Sequence, residues 1–197
     1  MINETLKFLL DEVNLFLSLK LGATTDPRLV LGNVTKAMDT DGGGTNSLSN
    51  KGILSLVNVE EDRIARQQDN FVKTENSVNY KNPPIYLNLY VIFAINLTEY
   101  AESLKWLACI IQFFQYQRLF TPLSHPSLDP RIRKIVPELH SMSFEQMNHL
   151  WSILGGKYLP SAMYKIRQIS LDEDAATAGG GIITEVDLNG RNKIQVS

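Results

Sequence analysis

SFEQMNHLWSILGGKYLPSAMYKIRQISL, residues 143–171, spells a capped helix, a stop and a strand. Ser143 and Gln146 stand at capping-box spacing, where the serine oxygen takes a first-turn amide and the glutamine reaches back. Met142 and Met147 stand where a hydrophobic staple closes the first turn. Phe144, Met147, Leu150, Trp151 and Leu154 recur at helical spacing. Gly155-Gly156 ends the helix, because glycine reaches the left-handed cap without a Cβ penalty. Lys157 suits the negative helix end, and Pro160 blocks a restart. Beyond it, Met163, Lys165, Arg167 and Ile169 alternate with Tyr164, Ile166, Gln168 and Ser170, an extended pattern. The stretch is rich in packing and stop signals and nearly empty of reactive groups. It reads as scaffold before it reads as enzyme.

Working outward, NPPIYLNLYVIFAINL, residues 82–97, gives a long central strand over Ile85–Leu97 that is apolar on both faces. Pro83-Pro84 fixes its start. Asn96 or Thr98 then caps a helix to about Gln117. On it Tyr100, Leu104, Leu107, Ala108, Ile111 and Phe114 face one way, while Trp106, Ile110 and Phe113 widen the apolar arc. A helix apolar nearly all round is covered on more than one side, by its own domain or by a second subunit. Trp106, Ile110 and Phe113 are therefore candidate interface residues, with core as the competing role.

The N-terminal helix carries Ile2, Leu6, Leu9, Leu10, Val13, Phe16 and Leu17 on one face and stops at Gly22. Leu29–Val34 reads as a short strand. Residues 39–50, DTDGGGTNSLSN, read as a flexible loop. Ile53–Arg66 reads as a strand with Ile53, Val57 and Val59 on one face, and Gln67–Lys81 as a polar loop. Ile132–His140 reads as a strand, and Pro137 places it at a sheet edge. The expected fold is α/β (α+β): one domain over residues 1–172, a mixed sheet flanked by helices.

At 197 residues the chain can bury a substantial core. Its formal charge of −2 gives no electrostatic case for nucleic acid. No apolar run reaches membrane-spanning length. No secretory signal begins the sequence, so a cytoplasmic site of synthesis is expected. The single cysteine, Cys109, reads as a structural thiol inside WLACIIQFF. Asp39 and Asp41 imitate the start of a calcium loop, but Asn50 stands where the pattern requires glutamate. His125, His140 and His149 lack zinc spacing. Glu60, Glu61 and Asp62 are neighbours on a strand and so point to alternating faces. No catalytic residue, metal ligand or cofactor is expected.

The wording also resembles one family. NPPIYLNLYVIF, YAESLKWL, FTP and MSFEQMNHLWSILGGKYLPSAMYKIR, in that order, resemble tail-terminator (cap) proteins of contractile injection systems. These are phage-tail-like particles of the antifeeding-prophage and virulence-cassette type. MINETLKFLLDEVN and LVNVEEDRIAR fit as well, and the resemblance spans Met1 to Asp172. It implies a structural subunit forming a ring, expected to be a hexamer, on the end of the inner tube and sheath. The ring would end their growth and hold the extended sheath, with tube and sheath proteins as partners. It would assemble in the cytoplasm, within a particle that is released or retained. The alternatives are a phage tail-completion protein joining tail to capsid, or an enzyme of unrecognised type.

Residues 173–197 carry no family wording. Ile182–Leu188 and Lys193–Val196 are β-prone runs around Asn189-Gly190, a strong type I′ hairpin signal. Ile183, Val186, Leu188, Ile194 and Val196 are the candidate contacts of such a glycine-linked arm. Whether it pairs with a partner or with its own domain is open from sequence.

Overall fold

In the computed structural model, residues 1–37, 48–62, 71–74, 77–80 and 85–171 are described. Two units are distinguished: residues 1–66 with 85–171, and residues 67–84 with 172–197.

The first unit opens with α1 (Ile2–Leu21), which buries Leu6, Phe8, Leu9, Val13 and Leu17 and ends at Gly22 with φ 92°. Arg28 closes this end by donating to the Gly22 and Leu21 carbonyls at 2.8 and 3.2 Å. A cation there also complements the helix dipole. Strand β1 is only Leu29–Leu31, and α2 (Val34–Ala37) takes over the rest of the expected strand. The reason is local: Asn33 Oδ1 accepts from the Thr35 amide and hydroxyl at 3.0 and 2.9 Å, turning the chain into a helix.

Strand β2 (Lys51–Glu61) pairs with the long central β5 (Ile85–Asn96), which pairs in turn with β7 (Ser161–Leu171). The short β6 (Val136–Leu139) lies at the edge, as Pro137 implied, and the order is β1-β2-β5-β7-β6. Only the β1–β2 pair is parallel. A register shift between Leu56 and Asn58 overturns the expected single face of Ile53, Val57 and Val59. One extra residue flips every later side chain, so Val59 lies opposite Leu89 rather than on the Ile53 side.

Helices cover both sheet faces. Leu54, Leu89, Val91, Phe93, Tyr164 and Ile166 pack with α1 and with α3 (Tyr100–Tyr116). Ile53, Ile92 and Ala94 pack with α2 and with Trp151 of α4 (Phe144–Ile153). The result is three layers around a mixed sheet. Helix α3 begins after Glu99, not at Asn96 or Thr98. Asn96 still belongs to β5, and its amide is committed to the Ala37 carbonyl at 3.1 Å.

Both arms of the α4 capping box form: the Gln146 amide donates to Ser143 Oγ at 3.2 Å, and the Ser143 amide to Gln146 Oε1 at 3.0 Å. At the other end the Gly156 amide donates to the Trp151 carbonyl at 2.7 Å, with Gly155 and Gly156 at φ 101° and 76°. That is a Schellman closure. Phe144, expected on the buried face, is instead 90% exposed; the helix is anchored by Trp151, about two turns later. Ser143→Ala is expected to cost about 1 kcal/mol, read from urea melts. An unchanged midpoint would show that the cap is redundant.

In the second unit, β3 (Phe71–Thr74) and β4 (Ser77–Tyr80) pair antiparallel, from Phe71 opposite Tyr80 to Thr74 opposite Ser77. The expected loop over Gln67–Lys81 is corrected here. Phe71, Val72, Val78 and Tyr80 are strong strand formers within a polar setting.

Candidate assembly surface

The two edges of the five-stranded sheet are treated differently. At β1, Asn14 of α1 acts as a substitute strand: its side chain accepts from the Leu29 amide and donates to the Leu29 carbonyl, both at 2.9 Å. That satisfies the outward groups of Leu29 and blocks pairing there.

At β6 the alternation can be read from its neighbours. The His140 amide donates to the Met163 carbonyl at 2.8 Å, so His140, Glu138 and Val136 turn their main chain toward β7. Ile135, Pro137 and Leu139 turn outward. Ile135 exchanges two bonds with Phe120, at 2.9 and 3.0 Å. Pro137 has no N–H to offer. The outward amide and carbonyl of Leu139 form no backbone bond among the described residues.

Beside this edge lies an apolar groove of about 380 Å³ between β6 and the C-terminal half of α3. Ile111, Phe114, Pro137, Leu139 and Tyr164 line it, with Gln115, Arg118 and Glu138 at its polar margin. Leu139 is 54% exposed. Arg118 Nε donates to the Gln115 carbonyl at 3.1 Å. Burial pushes the Tyr164 phenol up to about 12.

The other sheet face carries a polar grid. Glu60 lies opposite Asn88, and Asn58, Tyr90, Lys165 and Glu138 fall in the next cross-strand row. Glu60 accepts from the Tyr90 hydroxyl at 2.8 Å and from Lys165 at 3.2 Å. The Tyr90 bond, with Lys165 beside it, holds the Glu60 carboxyl below its usual range. Arg167 pairs with Glu138 at 3.1 Å. Asn88 Oδ1 and Arg167 Nε, next to a register shift between Leu87 and Leu89, are buried without a hydrogen-bond partner among the described residues. The charged members engage one another, which suits a rigid surface better than proton transfer.

The structure sorts the residues expected at an interface. Ile110 and Phe113 are inside: Phe113 packs against Phe16, Phe114 and Phe120. Trp106 is partly buried against the same core, with the Arg28 guanidinium 5.7 Å from its ring. The domain itself covers Ile110 and Phe113 and leaves part of Trp106 accessible. The outer side of α3 is instead Tyr100, Leu104 and Ile111, residues that periodicity alone assigned to the packed face. Ile183, Val186, Leu188, Ile194 and Val196 lie outside the described residues. The sequence signal for the β6 edge was Pro137; nothing in the sequence marked the groove.

The histidines do not converge. His125 rests edge-on to Phe8, and its Nδ1 lies 2.9 Å from Ser124 Oγ; His140 packs edge-on to Tyr90; His149 lies on α4. No cluster of three potential metal ligands occurs among the described residues. Cys109 is a free, half-buried thiol. No helix among the described residues is long and apolar enough to cross a membrane.

A family model described as the Pvc16 N-terminal domain matches residues 2–185. No curated protein matches the chain. One similar solved structure is the PVC sheath/tube terminator of an extracellular contractile injection system, in the extended state. Its TM-score is 0.58 at 11% identity, over 95% of this chain and 65% of that one. Another is the tube-terminating cap of the anti-feeding prophage, with TM-score 0.51 at 10% identity over 68% of this chain and 48% of that one. The chain thus spans less than two thirds of either structure, and at these identities the likeness establishes the fold.

Proposed function

The chain belongs to the Pvc16 N-terminal domain family, and from that premise we propose that it is a cap subunit of a contractile injection system. It sits on the end of the inner tube and sheath, ends their growth and stabilises the extended sheath. The observation that carries this reading is the match of 95% of the chain to a sheath/tube terminator. The subunits form a ring, expected to be a hexamer. A rotational ring requires two different complementary patches on each subunit. Residues 173–197 act as an arm toward a partner. Assembly takes place in the cytoplasm, and the subunit remains part of the finished particle.

No catalytic role and no cofactor are assigned. Glu60, Tyr90 and Lys165 are held by one another rather than presented to a substrate. Deleting the gene in a producing strain is expected to give tails of irregular length with poorly retained sheaths, counted in negative-stain images. Tails of normal length with normal sheaths would overturn the reading.

A further inference from the structure

We propose that the open edge of β6 and the groove beside it receive the run Ile182–Leu188 of a neighbouring copy, added as a sixth strand. This rests on the cap reading and names the pair of patches that the ring requires.

The acceptor is set by geometry. Asn14 occupies the outward amide and carbonyl of Leu29 at the β1 edge, whereas at β6 the outward groups of Leu139 stand beside an apolar groove. There, Phe120 already occupies Ile135, and Pro137 removes the next outward donor. The site is therefore short, centred on the amide and carbonyl of Leu139. Main-chain pairing at such an edge gives affinity, and side chains entering an adjacent pocket give selectivity. The pocket is the apolar groove lined by Ile111, Phe114, Leu139 and Tyr164.

The occupant is set by chemistry. Ile182-Ile183-Thr184-Glu185-Val186-Asp187-Leu188 is β-prone and free of proline and glycine. Val186 and Leu188 stand two apart, so they enter the groove from one strand face. The run carries two carboxylates and no cation; Arg118 at the groove margin complements it, and the Glu138 carboxylate at the same margin is engaged by Arg167. Each copy then offers one donor run and one acceptor edge, the heterologous arrangement that closes into a ring.

The test places a photo-crosslinker, Ile111→p-benzoylphenylalanine, in the full chain. These copies are mixed with copies uniformly labelled with ¹⁵N, irradiated and mapped by mass spectrometry. The expected product joins light position 111 to heavy residues 182–188. Products confined to one copy, or none above a non-irradiated control, would overturn the proposal. Adding Leu139→Pro removes the outward amide and leaves the β7 bonds in place. It is expected to lower the mixed product about fivefold at an unchanged melting temperature. An unchanged yield with Leu139→Pro would also overturn it. Tail length on gene deletion tests the cap reading separately, so either can fail alone.

Discussion

Trp151→Ala is expected to destabilise the protein by roughly 3–5 kcal/mol, the range for deleting a large core side chain. The tryptophan is 5% exposed and packs with Val34, Ala37, Ile53, Ile92 and Ala94. Its ring meets Tyr158 edge-on at 5.5 Å. It is the largest member of the smaller core, so its loss leaves the α4 side of the sheet without its anchor. The indole N–H is buried and has no acceptor among the described residues. The side chain therefore acts through packing alone, and Trp151→Phe should cost clearly less than Trp151→Ala. Urea denaturation of the three proteins decides this. If the alanine variant melts within a degree or two of the parent, the α4 face does not depend on Trp151.

Gly52→Ala should cost about 1–3 kcal/mol, as overpacking of a filled core does. Gly52 lies on β2 between Leu29 of β1 and Ile95 of β5. A Cβ added there would stand 2.2 Å from Leu29 Cδ2 and 3.0 Å from Ile95 Cδ1. Both neighbours are fully buried and cannot swing into solvent. The methyl must push β1 away, so the loss should appear first as faster amide exchange at Gly32 and Gly52, which bond across β1–β2. Unchanged stability would mean that the β1 edge yields without cost.

Much of this fold was legible because local signals agreed with tertiary ones. Ser143, Gln146 and the glycine pair fixed α4 at both ends, and the apolar run over 85–96 could only be a covered strand. Pro137 marked an edge. What failed was information that resides in pairing. Nothing local separates Val57 as a bulge from Val57 as a regular position, and that one residue decides the face of Val59. Similarly, α3 is apolar nearly all round, so periodicity could not choose which arc lies inside. The core took Ile110 and Phe113 and left Leu104 and Ile111 outside. The edge block at β1 was illegible for the same reason, since Asn14 and Leu29 are fifteen residues apart.

The strand order has a consequence in time. β7 lies between β5 and β6 in the sheet but follows both in the chain. During synthesis β5 can find β2, yet its other edge stays unpaired until residues 161–171 leave the ribosome. Through that interval Leu89, Val91, Phe93 and Ile95 form an open, strongly apolar margin, and β6 has no sheet to join. Pairings this distant in sequence close slowly, and open margins of this kind attract other nascent chains. The molecule is thus most vulnerable just before its sheet is complete, and conditions that slow elongation over that segment would lower its yield without altering its final stability.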